Sequence, residues 1–159
     1  MNLRPQAMSP EAFRDFGDVI TSHGRSSRMI NAGTSQRFDD VAIPDLAEGM
    51  GRAAIHLFRT EGRTLPVHVD IMERHPLGSQ AFQPLAAVRS IVVVAHGRPE
   101  NGDIHAFLTD PGQGWNLKRG IWHAPLVMLG PCDVLVIERS PAGDNLDLMT
   151  LSSPLEIAL

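Results

Sequence analysis

Glu73-Arg74-His75-Pro76-Leu77-Gly78-Ser79-Gln80-Ala81-Phe82-Gln83-Pro84 is the stretch around which this chain is organised. Gly78 at its centre predicts a turn, so the segment reads as strand, turn and strand. Side chains two apart on a strand share a face, which sends Glu73 and His75 the same way. Gln80, just past the turn, swings back over the same spot. One hairpin can thus build a small polar pocket.

On both sides of it the chain keeps a period of two. Residues 53–59, 67–74, 90–95, 105–109 and 134–139 read as strands rich in Ile, Val and Leu, and 85–94 and 126–129 extend the pattern. No helical pattern separates them after residue 50, which predicts an antiparallel sandwich or barrel and not a parallel α/β sheet. Ile91-Val92-Val93-Val94 is apolar on both faces and belongs at the centre. Ser9-Pro10-Glu11 opens a short N-terminal helix through Ala12, Phe13 and Phe16, ended by Gly17. We find no repeat or linker, so residues 1–159 form a single domain.

Composition narrows the function. The chain has 159 residues, 43% hydrophobic and 20% charged, with a net charge of -4 and one lysine, Lys118. That balance disfavours nucleic acid as a partner. No apolar run reaches the roughly 20 residues of a membrane span, and the first ten residues lack a signal-peptide pattern. The single cysteine, Cys132, excludes an internal disulfide framework and a zinc knuckle. A cytoplasmic location is expected.

A second polar cluster runs from Trp115 to Pro125. Gly120 allows a tight turn, after which Ile121 and His123 face one way. If that face is interior, His123 meets Glu73 and His75; the bland alternative is a structural histidine. His68 has the opposite parity, and His23, His56, His96 and His105 lack a comparable context. Arg59 shares a face with Ile55 and Leu57, and Arg139 with Leu135 and Ile137. Two readings stand for each arginine: a bidentate anchor for a small carboxylate, or an ion pair with Glu61, Asp133 or Glu138.

The two clusters resemble the two motifs of the cupins, with Glu73-x-His75-x4-Gln80 as the first and Lys118-x-Gly120-x-x-His123 as the second. The string Glu73 to Phe82, followed by Trp122-His123-x-Pro125-Leu126, is more specific and resembles the ureidoglycolate lyase family of cupins. Phe16 to Ile20, Ile30-Asn31-x-Gly33 with Arg37, Arg59, and Arg139 with Asp144-Asn145-x-Asp147 support it. Leu146 departs from it, because some relatives carry cysteine there.

The resemblance implies a β-dominated fold, a cupin-type antiparallel barrel or jelly roll with a short N-terminal helix. It implies a cytoplasmic homodimer that splits (S)-ureidoglycolate into glyoxylate and urea, late in allantoin breakdown. The catalytic set is then Glu73, His75, Gln80 and His123, with Arg59, Arg139, Asn31, Lys118 and Trp122 as substrate-binding residues. Those four catalytic side chains are also a candidate site for a divalent ion (Ni, Mn or Zn). With one charge among them and a weak glutamine ligand, the metal is expected to be optional. The competing readings are an amidohydrolase releasing ammonia from the same substrate, and a non-catalytic cupin that binds a small carboxylate.

Overall fold

The computed structural model describes residues 1–140 and 144–159. Two short strands, β1 (Asn2–Leu3) and β2 (Gln6–Ala7), precede a one-turn helix, α1 (Pro10–Phe13). Ser9 caps that helix by accepting the Ala12 N–H at 3.1 Å. The helix ends at Phe13, sooner than the apolar spacing predicts. The chain continues through β3 (Gly17–Ile20), β4 (Arg28–Ile30), β5 (Ser35–Arg37) and β6 (Arg52–Thr60). The opening hairpin is β7 (Val67–Arg74) and β8 (Gln80–Pro84). Then come β9 (Ser90–His96), β10 (Asp103–Leu108), β11 (Gly114–Leu117) and β12 (Trp122–His123). The last strands are β13 (Val127–Met128), β14 (Cys132–Ser140) and β15 (Asp147–Ile157).

One sheet runs β1-β15-β7-β12-β9-β10-β2, with β13 also paired to β9, and the other runs β3-β11-β8-β14-β6. The edge strands β1 and β2 lie parallel to β15 and β10; the central pairs are antiparallel. The fold is the β-dominated, mainly antiparallel architecture with a short N-terminal helix that the sequence predicts.

Alternation along β9 explains how it holds both sides. Val92 and Val94 face the second sheet, where they meet Phe82, Trp115, Val134 and Val136 around Phe13, Phe16 and Phe107. Ile91 and Val93 point the other way into a second core with Val67, Val69, Met72, Trp122 and Ile157. Burying each such side chain is worth about 1.5–3 kcal/mol, so β9 anchors the molecule from both faces.

Two expectations are corrected. Residues 85–89 are a turn, with the Leu85 N–H donating to Asp133 O and the Val88 N–H to Ala86 O, so that strand begins only at Ser90. Ile55, Leu57 and Arg59 do share a face, but it points outward: Ile55 and Leu57 are 70% and 67% exposed. The inward face of β6 is that of His56 and Phe58, paired with the buried Val136 and Val134. The turn expected around Gly78 is present between β7 and β8, and Gly78 sits in it without a positive φ. It is small because a Cβ there would lie 3.0 Å from the Cβ of Arg139.

Candidate active site

The first motif ends β7 and the second forms β12, and register joins them: His123 pairs directly with Glu73. Met72 and Trp122 belong to the core on the far side of this sheet, so Glu73 and His123 face the barrel interior. The turns on either side are tied together. Gly120 sits at φ +78, which suits glycine, and its N–H donates to His75 O at 2.9 Å. Asn145 holds the other side, its Oδ1 accepting the Leu77 N–H at 2.7 Å.

Both imidazoles are held the same way round. His75 Nδ1 lies 2.8 Å from Asn145 O and His123 Nδ1 lies 2.9 Å from Ile121 O. A carbonyl only accepts, so Nδ1 carries the proton in each neutral ring and Nε2 is left with its lone pair. Both Nε2 atoms are buried without a hydrogen-bond partner. The two rings lie 5.5 Å apart, and His123 Nε2 is 3.5 Å from Glu73 Oε1, a contact of charges more than a formed hydrogen bond. Burial pushes the Glu73 carboxyl up, but the His123 imidazole and the charge on both rings outweigh it, leaving Glu73 below the ordinary carboxylate range. Glu73 is therefore an anion through the neutral range.

Gln80 stands on β8 in the facing sheet, where alternation with the inward Phe82 puts its side chain on the inward face. Its Nε2 donates to Glu138 Oε2 at 2.7 Å, and its Oε1 is buried and unpartnered. Because a carboxylate only accepts, Glu138 fixes the amide with its oxygen free. His56 Nε2 lies 3.4 Å from Glu138 Oε1 and completes a second chain of polar groups on the inward face. Glu138 and His56 are the members that sequence reasoning left out. The alternation of Val134, Val136 and Glu138 carried the signal, once the inward face was known.

The remaining expected residues are not brought to this cluster. Arg59, with its side chain 80% exposed, makes two bonds to Asp133, at 2.8 and 2.9 Å, so the ion-pair alternative describes it. Asp133 lies five residues along β14 from Glu138, about 16 Å at the usual strand rise. Arg139 is buried on the outward face of β14, where Nε donates to Glu48 O and a terminal nitrogen to Gly49 O. Alternation puts it opposite Glu138. Trp122 points away from His123, its ring 4.9 Å beneath the Arg74 guanidinium. Lys118 Nζ donates to Arg14 O at 2.5 Å, and Asn31 is exposed in the β4–β5 turn.

A cavity of about 520 Å³ lies on the outward side of β11, lined by Asp18, Arg25, Asp45, Asn116, Lys118 and Arg119. Its arginines are already engaged, Arg25 with Val41 O and Arg119 with Glu48. Beside His123 lies an apolar void of about 10 Å³, walled by Phe82, Trp115 and Leu117. Among the described residues no helix is long and apolar enough to cross a membrane.

Glu73, His75 and His123 each offer a donor atom within 4.8 Å of the other two. Two bare imidazole nitrogens and one carboxylate, each imidazole braced by a backbone carbonyl, fit a divalent ion with open positions. A carboxylate beside two oriented imidazoles, on the inward face of a mainly antiparallel two-sheet fold, is an arrangement suited to acid–base or metal-assisted chemistry.

Comparison with known proteins makes the class specific. A family model described as ureidoglycolate lyase matches residues 1–158, and the chain belongs to that family of carbon–nitrogen lyases. A ureidoglycolate lyase of Burkholderia mallei (strain NCTC 10229) is 45% identical, over 96% of this chain and 91% of the relative. One from Rhizobium leguminosarum bv. trifolii (strain WSM2304) is 41% identical over 97% and 93%. Among solved structures, a 3,4-ketoisomerase from Helicobacter canadensis is similar over 81% of this chain and 87% of that one, with 10% identity and a TM-score of 0.47.

Proposed function

We propose that this protein cleaves (S)-ureidoglycolate to glyoxylate and urea within allantoin and purine catabolism, with Glu73, His75, Gln80 and His123 as its catalytic set. Family membership over residues 1–158 supports the reaction, and the pair of bare, buried Nε2 atoms beside Glu73 supports the site. The substrate carries a hydroxyl, a carboxylate and a ureido nitrogen on one carbon. Neutral His75 takes the hydroxyl proton on Nε2, the C–O bond becomes the glyoxylate carbonyl, and the C–N electron pair moves onto nitrogen. Urea leaves badly as an anion, so His123, in its protonated form, gives that nitrogen its Nε2 proton. The ionised Glu73 stabilises the imidazolium form of His123. Gln80 Oε1, aimed by Glu138, accepts a ureido N–H. The net change is one bond broken, one proton taken and one given, with no oxidant required.

Glu73, His75 and His123, joined by Gln80 Oε1, would hold a divalent ion. Bound there, it would supply Lewis acidity toward the hydroxyl and carboxylate. An ion would occupy the same Nε2 lone pairs that the acid–base route uses, so the two modes exclude each other. Only Glu73 among these side chains carries a formal charge when the rings are neutral, and we therefore place the metal as optional. Urea without ammonia from purified enzyme supports the lyase; ammonia would support the amidohydrolase instead. Turnover retained after chelation is expected, and tight one-to-one metal with total loss on chelation would reject the acid–base route.

We also propose a homodimer formed through the outward face of β6. Among the described residues this strand pairs only with β14, which leaves its other edge open, and Ile55 and Leu57 lie uncovered along it. Light scattering tests the assembly.

A further inference from the structure

We propose that His96, Asp103 and His105 form a second metal site, separate from the barrel mouth, suited to zinc. Register makes it. Asp103 pairs directly with His96 across the β9–β10 hairpin, and His105 lies two residues on along the same face of β10. One donor atom from each of the three falls within 4.8 Å of the others.

His105 carries the argument furthest. Its Nε2 lies 2.9 Å from Asp103 Oδ1, yet that nitrogen is buried and makes no properly directed hydrogen bond. An imidazole nitrogen that faces a carboxylate without bonding to it is satisfied by a cation between them. The rings are already positioned. Phe16 packs against His96 at 4.3 Å and His105 at 5.3 Å between centroids, which fixes both planes without using a nitrogen. Phe16 is itself buried in the barrel core, so this support is rigid.

Two imidazoles and one carboxylate, with further positions open to water, suit zinc or another late first-row ion and do not suit calcium or magnesium, which take oxygen shells. The site is distinct from the first cluster. His105 and His123 lie on either side of Val94 in one row across the sheet, two strand spacings or about 10 Å apart. Val94 is fully buried between them. An ion here would clamp the two strands together at the turn end of the hairpin, whose turn uses Gly97 and Gly102 at positive φ, with both imidazoles resting on Phe16.

Zinc titrated into the chelator-stripped full chain tests this, read by histidine side-chain NMR with assignments from His96→Gln and His105→Gln. The His96 and His105 ring signals should move together and saturate while those of His23 and His68 stay put. Asp103→Asn should weaken that binding at least about tenfold. Zinc should also raise Tm more in the wild type than in His96→Gln. His96 and Asp103 are exposed, so these two substitutions leave the core intact even if His105→Gln does not fold. Unmoved His96 and His105 rings, or an affinity unchanged in both Asp103→Asn and His96→Gln, would overturn the proposal.

Discussion

At the scale of residues, the site depends on which nitrogen of each imidazole is free. Backbone carbonyls of Ile121 and Asn145 hold both Nδ1 atoms, so Nε2 is the atom left free in His123 and His75 and the one the proposed mechanism uses. Removing either takes away a proton transfer worth roughly 10² to 10⁴ in rate, about 3–5 kcal/mol. His75→Ala and His123→Ala should each lose turnover by that order while circular dichroism and Tm report a folded protein. Near-normal kcat in either would remove that histidine from its role. Arg59 makes a contrasting case. Its hydrogen bond, then its charge, hold the exposed Asp133 carboxyl below the usual range. In Arg59→Ala, Asp133 should therefore titrate higher, in the ordinary carboxylate range, as read by NMR of its side-chain carbon. Within one chain KM should not change. A raised KM with unchanged kcat would bring Arg59 back as a carboxylate anchor, reaching a site through a second chain.

At the scale of elements, the mouth is made where two sheets meet, and each contributes one polar row. Glu73 and His123 come from the paired β7 and β12, Gln80 and Glu138 from β8 and β14. In the proposed mechanism Glu138 positions Gln80 through their 2.7 Å hydrogen bond. In Glu138→Gln the partner amide can donate as well as accept, so Gln80 is free to turn its NH₂ into the site. KM should rise about fivefold to tenfold, the net worth of one hydrogen bond, with a smaller change in kcat. Unchanged KM and kcat would discard this positioning role. The hairpin was legible from the sequence because its strands are apolar and its turn is short, although alternation along β7 breaks between Val69 and Met72, which face the same core. β7 was read with its observed bounds, and β9 and β14 within two residues. β15, the longest strand, was missed. Its Asp147-Leu-Met-Thr-Leu-Ser-Ser-Pro-Leu-Glu-Ile157 breaks alternation at a register shift between Thr150 and Leu155 and carries Pro154 inside it. Glu138 and His56 were missed because β6 puts its more apolar face, with Ile55 and Leu57, outward. Periodicity finds two faces but does not say which one a barrel encloses.

At the scale of the whole molecule, that outward face is what one chain leaves unfinished. A nine-residue edge strand with open hydrogen-bonding groups and large uncovered apolar side chains is a template for pairing with another strand. A twofold axis beside β6 would let it pair antiparallel with its own copy, each residue meeting its counterpart in a self-complementary interface. Apolar area removed from water is worth roughly 25 cal/mol per Å², so Ile55 and Leu57 from both chains would supply a substantial share of the association. One chain has a mass of 17.3 kDa, and light scattering should give about twice that for the wild type. Lysine at the same positions is a device that edge strands use against pairing, so Ile55→Lys with Leu57→Lys should bring the mass down to that of a single chain. Both side chains point to solvent in one chain, and the barrel core should keep its Tm apart from what dimerisation adds. A wild type of single-chain mass would refute the dimer. A doubly substituted protein that stays dimeric would move the interface off β6, and with it the route by which Arg59 could reach a neighbouring site.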